Sequence, residues 1–183
     1  MRTQEEDVKI FTGTETDPAD EGERIAARLL GYQSRGVLEQ TRQLGAFLAG
    51  EVAGSFGEVE FGKDASENPE MLRQRRMLLT FAVLYGSEVY FTDTILAQSM
   101  LGSFYDALST NAPELYRQIN ESGAFSFYYL AVRRNATPEQ EIGRAFAMLC
   151  GEDNNTLLCE MGRALYIRFM DKMYETIRNL GIE

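Results

Sequence analysis

Two cysteines, Cys150 and Cys159, and a spread of carboxylates are the first side chains in this sequence to weigh for catalytic chemistry. Histidine is absent from all 183 residues. That absence removes Ser-His-Asp triads, Cys-His pairs, imidazole base catalysis and every histidine-containing metal site. The two thiols flank the turn Gly151–Asn155, so adjoining helices could bring them together as a redox pair or a nucleophile. Neither has an activating imidazole. Cys150 falls at the end of a helical pattern, where the negative end of the helix dipole raises a thiol pKa. Buried, inert thiols are the expectation.

Carboxylates are the remaining general acids and bases. A magnesium-dependent helical hydrolase needs several of them converging inside a bundle. The acids within apolar stretches are Glu88, Asp93 and Asp106. Glu88 and Asp93, five positions apart, fall about 140° apart around a helix at 100° per residue. They therefore do not share a face, and helix caps and turns are the preferred reading. No metal or cofactor is expected. Neither a phosphate-cradling G-x-x-x-x-G-K-[ST] nor a G-x-G-x-x-G occurs.

Arginine supplies all the basic charge apart from Lys9, Lys63 and Lys172. Arg73, Arg75 and Arg76 form one cluster, and Arg133 with Arg134 another. Arg73 and Arg76, at i and i+3, share a helical face that could grip an anion through its planar forks. Pairing with Glu67 and Glu70, or with the acidic N-terminal arm, is the preferred reading. A tyrosine- and phenylalanine-lined ligand pocket is the other binding candidate, drawn from Tyr85, Tyr90, Tyr105, Phe125, Tyr128 and Tyr129. Against it stands an aromatic bundle core.

The elements that must position these side chains read as helices. Asp17-Pro18 starts a helical stretch whose first turns carry Asp20, Glu21 and Glu23, and Gly31 and Gly36 predict a kink or break. Ala46, Gly50 and Gly54 recur every four residues and predict a smooth strip for close helix packing. Asn68-Pro69-Glu70 restarts a helix, and the strongly apolar segment to Ser109 follows. Helical spacing there is preferred over a hairpin across Met77–Thr92. Thr110–Pro113 breaks the chain, Ser122-Gly123 closes a short helix, and aromatic-rich Ala124–Val132 is read as helix. Thr137-Pro138-Glu139-Gln140 is a capping box. Asp153–Asn155 caps a final helix, Thr156–Leu180.

That last helix carries Leu158, Met161, Leu165, Phe169 and Met173 as a stripe, widened by Cys159, Tyr166, Met170 and Ile177 to about half its circumference. One neighbour cannot cover so wide a face. The expectation is a helix central to its bundle or a homodimer seam, with Tyr166, Met170 and Ile177 between subunits and Leu165, Phe169 and Met173 in the core.

The fold class expected is therefore all-α: one helical bundle of five to seven helices over residues 19–183, preceded by a loose acidic arm, 1–18. The arm carries Glu5, Glu6, Asp7, Glu15 and Asp17 against Arg2 and Lys9. With 28 acids against 18 bases, a net charge of −10 argues against nucleic acid or an anionic membrane as partner. No secretory leader or membrane span is visible, and two cysteines make no disulfide framework, so a cytoplasmic setting is expected. A first-sixty-residue helix-turn-helix head is not supported, because that region is acidic. The leading functional expectation is a non-catalytic module acting through protein contacts as a homodimer or with another protein. A small-molecule-binding domain and a carboxylate hydrolase are the competing classes.

Overall fold

The computed structural model describes residues 18–54, 69–134 and 137–182. These form eight α-helices with no strand among the described residues. The acidic arm as far as residue 17 and the expected loop at 57–66 lie outside the described residues, as does the Asn68 cap, while Pro18 opens the first helix. The helices are α1 (Pro18–Ser34), α2 (Val37–Ala53), α3 (Pro69–Tyr90), α4 (Thr94–Asn111), α5 (Pro113–Glu121), α6 (Ala124–Arg134), α7 (Pro138–Leu149) and α8 (Thr156–Leu180).

The number exceeds five to seven because two apolar stretches break. Gly36 takes φ 73°, a left-handed conformation that side chains with a Cβ adopt at a cost, and separates α1 from α2. Phe91–Asp93 separates α3 from α4, and the Asp93 carboxylate caps α4 by accepting the Ile95 N–H at 2.8 Å. The region Met77–Tyr90 is continuous helix, through Gly86 and Ser87, and the hairpin reading is set aside.

The helix α3 is buried almost all round, from Met77 to Val83 without interruption, which marks it as the axis of the fold. On one side α2 packs against α4, the most extensive helix pair, through Leu44, Leu48 and Val52 of α2 and Leu96, Met100 and Phe104 of α4. On the other, α8 packs against α7, α3 and α2. That arrangement explains the wide apolar face of α8. Tyr166, Met170 and Ile177 are 5%, 7% and 0% exposed within the single chain. They are core residues, and the expected seam along α8 is corrected: three neighbouring helices of the same chain already cover that face.

The small-residue strip is corrected too. Ala46, Gly50 and Gly54 are exposed, because the buried stripe Leu44–Leu48–Val52 turns them about 200° away at 100° per residue. The close approach is made instead by Gly45, against the backbone of Met100 and Phe104. At the start of α7, the Thr137 side chain makes no capping bond, so the capping box is not formed there; its carbonyl accepts from the Gln140 N–H at 3.2 Å. Asn155 does cap α8, accepting the Leu158 N–H at 3.1 Å. Gly151, at φ 82°, ends α7 as expected.

Asp93 joins α1 to the start of α4. Besides capping α4 it accepts hydrogen bonds from Arg28 and Tyr32 of α1, and it is 6% exposed. Burial pushes its carboxyl pKa up, but the bonds from Tyr32, the Ile95 N–H and Arg28 outweigh that and hold it below its ordinary 3.8. A carboxyl depressed on folding stabilises the protein fully above its unfolded pKa and ceases to do so as the pH falls through the lower, folded value. Asp93→Ala should lose about 1–2 kcal/mol at neutral pH through the α4 cap, or about 2–8 °C in Tm for a chain of this size. The difference from wild type should shrink in acid below the folded pKa. Thermal melts across the pH series check both; an unchanged Tm at pH 7 contradicts the role.

Candidate functional site

An open groove of about 710 Å3 lies where α6, α7 and the start of α8 meet. Its wall on α6 is Phe127, Leu130 and Ala131; on α7 it is Ala145 and Met148; and its polar end is Asp153, Asn154 and Thr156 at the start of α8. Phe127, Leu130 and Met148 remain 45%, 44% and 36% exposed. Single exposed apolar residues are ordinary, but these face one groove from two helices. The reason is local. Tyr128 and Ala131 turn one face of α6 into the core, so Phe127 and Leu130, beside that face, have no core left to enter. Met148 likewise stands off the buried stripe Ile142–Ala145–Phe146 of α7. The charged rim is Glu141, Arg144 and Asp153, and Arg144 donates to Glu141.

Of the groove residues, Cys159 is a candidate thiol of the sequence, whereas Leu130 and Met148 are not among its site candidates. The signal available was the run Ala124–Val132, apolar on more than one face, and a methionine off the stripe. A smaller groove of about 360 Å3 separates the end of α3 from α4, lined by Leu84, Phe91 and Leu101 among others.

The six aromatic candidates do not converge on a pocket. Tyr85, Tyr128 and Tyr129 surround Phe81, with ring centroids 5.8, 5.3 and 5.1 Å away. Tyr105 meets Phe104 and Tyr116 edge-on, Tyr90 lies 5.4 Å from Tyr174, and Phe125 packs against the core. The pocket expectation is therefore corrected to an aromatic core. Of these six, Tyr129 presents its hydroxyl to a charged partner, donating to Glu88 at 3.0 Å. Burial, then that bond and the Glu88 charge, push its pKa to about 12. Tyr128 is fully buried, and desolvation raises its pKa well above the ordinary value.

The arginine cluster does not form an anion clamp. Arg73 donates twice to Glu70, at 3.0 and 2.7 Å, which is the pairing preferred above. Arg75 and Arg76 reach back to α2: Arg75 donates to the Gly54 carbonyl at 2.7 Å and Arg76 to the Ala53 carbonyl at 3.0 Å. Cations at the carbonyl end of a helix complement its dipole, so these two close α2 and tie it to α3. Arg133 is exposed.

Both cysteines are free thiols. Burial, reinforced by the charges of Glu70 and Glu152, pushes Cys150 up to about 12. The direction matches the expectation, while the cause is packing and two acids. Cys159 lines the groove. Of the acids, Glu88 holds Tyr129, Asp93 caps α4, and Asp106 is exposed. Among the described residues no three Asp, Glu or Cys side chains gather where a metal ion could sit, and no helix is long and apolar enough to cross a membrane. No protein family, curated protein or solved structure matches the chain.

Proposed function

We propose that this chain is a non-catalytic cytoplasmic module that acts by protein contact, receiving an amphipathic helix of a partner in the α6–α7–α8 groove. The observation that carries the reading is the exposure of Phe127, Leu130 and Met148 around one concavity. An amphipathic helix laid into such a groove anchors through apolar residues at i, i+3 or i+4, and i+7. The polar face of the partner is basic. Arg144 is held by Glu141, which leaves Asp153 as the unbalanced charge on the rim, and the chain carries −10 overall. The free thiols support the cytoplasmic setting.

The test is fluorescence anisotropy with a labelled helical peptide carrying leucines on one face and lysines on the other. Saturable binding in the micromolar range is expected, about tenfold weaker for Leu130→Asp and for a peptide with glutamate replacing lysine. Binding indifferent to Leu130→Asp, or absent altogether, overturns the reading.

A further inference from the structure

The helix α1 stands apart from the bundle. Every described position from Asp20 to Leu30 is exposed, and its attachment to the rest of the chain is confined to its second half, through Arg28 and Tyr32 at Asp93 and through the junction with α2. A helix of 17 residues standing in water on its own is marginal. Yet α1 is amphipathic. Taking 100° per residue, Ile25, Leu29 and Tyr32 fall within about 60° of arc. Ile25 and Leu29 are 42% and 38% exposed, so the stripe that would ordinarily face a core faces solvent.

Charge says what covers it. Asp20, Glu21 and Glu23 outweigh Arg24 in the first half of α1, whereas the charges of the second half and its end are Arg28 and the following Arg35. Two such helices side by side in the same direction oppose acid to acid and base to base. Side by side in opposite directions, each acidic half meets a basic half. Glu21 and Arg28 lie within about 20° of each other around the helix, on one edge of the Ile25–Leu29 stripe. They are also equidistant from a point between Arg24 and Ile25. A two-fold axis there sets Glu21 against Arg28 of the partner subunit, twice, and brings Ile25 and Leu29 of both copies into one seam. Arg28 has N–H groups beyond the one given to Asp93, and its side chain is 53% exposed.

We propose that α1 is a homodimerisation helix, pairing antiparallel with α1 of a second copy about a two-fold axis near Ile25. The surface is distinct from the α6–α7–α8 groove, so it stands whether or not that groove receives a partner. A self-complementary patch of this kind closes at two subunits and does not propagate. The contact is small, which sets the expected affinity in the micromolar range.

Analytical ultracentrifugation of the full chain from about 1 to 200 µM tests it. A concentration-dependent dimer is expected. Ile25→Glu with Leu29→Glu should weaken it at least about 100-fold, while α2–α8 keep their helical circular dichroism because neither residue enters the core. Glu21→Arg with Glu23→Arg, which folds under the same conditions, should weaken it about tenfold by setting base against base. A parallel pair would not be weakened by this charge change, because like already opposes like. A wild type that remains monomeric at about 200 µM overturns the proposal and leaves the stripe to be covered within the chain. So does a dimer that survives Ile25→Glu with Leu29→Glu, or one that Glu21→Arg with Glu23→Arg leaves unweakened.

Discussion

Phe81→Ala should lower the free energy of unfolding by about 3–5 kcal/mol, a drop of about 6–20 °C in Tm for a chain of this length. Phe81 is fully buried on α3 and is the hub around which Tyr85, Tyr128 and Tyr129 are arranged. Removing it takes away its own transfer free energy and opens a cavity that two helices must close. The collapse is restricted, because Tyr129 is tethered through Glu88 on α3 and Tyr128 is enclosed on every side. Part of the loss is geometric. The ring contacts are worth about 0.5–1.5 kcal/mol per pair beyond burial, so a double-mutant cycle of Phe81→Leu with Tyr129→Leu should return a coupling of that size. Urea denaturation with a shared m-value measures both quantities. A loss for Phe81→Ala below about 1 kcal/mol would show that α3 and α6 close over the gap.

Gly45→Ala and Gly50→Ala, five residues apart on one helix, should have opposite signs. A Cβ on Gly45 would sit 2.9 Å from the Phe104 nitrogen and nearer still to the Met100 carbonyl oxygen. Both are backbone atoms of α4 that cannot rotate aside. The helices must part along their most extensive contact. That cost is at the upper end of the roughly 1–3 kcal/mol of overpacking, and alanine's better helix propensity returns about 1 kcal/mol of it. A net loss of about 2 kcal/mol is expected. At Gly50 an added Cβ meets open space, so Gly50→Ala keeps the propensity gain and should stabilise by up to about 1 kcal/mol. Paired thermal melts decide the issue. If Gly50→Ala were the damaging change, the strip Ala46–Gly50–Gly54 would be the packing face after all.

That pair of glycines shows where the sequence stops being sufficient. A strip of small residues at i, i+4 and i+8 is a valid signal for close packing, but it names a face and not a neighbour. The apolar stripe Leu44–Leu48–Val52 wins the core, because burying three large side chains outweighs burying one alanine and two glycines. The strip is then carried to the outside, and Gly45, inside the stripe, becomes the contact. The same reasoning was open to the sequence reading for α8. A face covering half a helix requires more than one neighbour, and both a central position and a dimer seam satisfy it. Whether Tyr166, Met170 and Ile177 meet a partner or their own chain depends on how α2, α3 and α7 are placed around them.

The sequence by itself determined the all-α class, the breaks at Gly36 and Gly151, the cap at Asn155, the α4 stripe Leu96–Met100–Phe104–Leu108 and the pairing of Arg73 with Glu70. Each depends on interactions within a few residues, where spacing and side-chain type suffice. Tertiary structure alone decided the rest. Asp93 became a junction because α1 returns to the start of α4, a contact across 65 residues. Arg75 and Arg76 became the closure of α2 because its last carbonyls end beside the start of α3. The aromatic residues became a core around Phe81, and the open groove fell to Phe127, Leu130 and Met148. Periodicity fixes which side chains share a face of one helix; only the packing of helices against one another determines which of those faces is left without a neighbour.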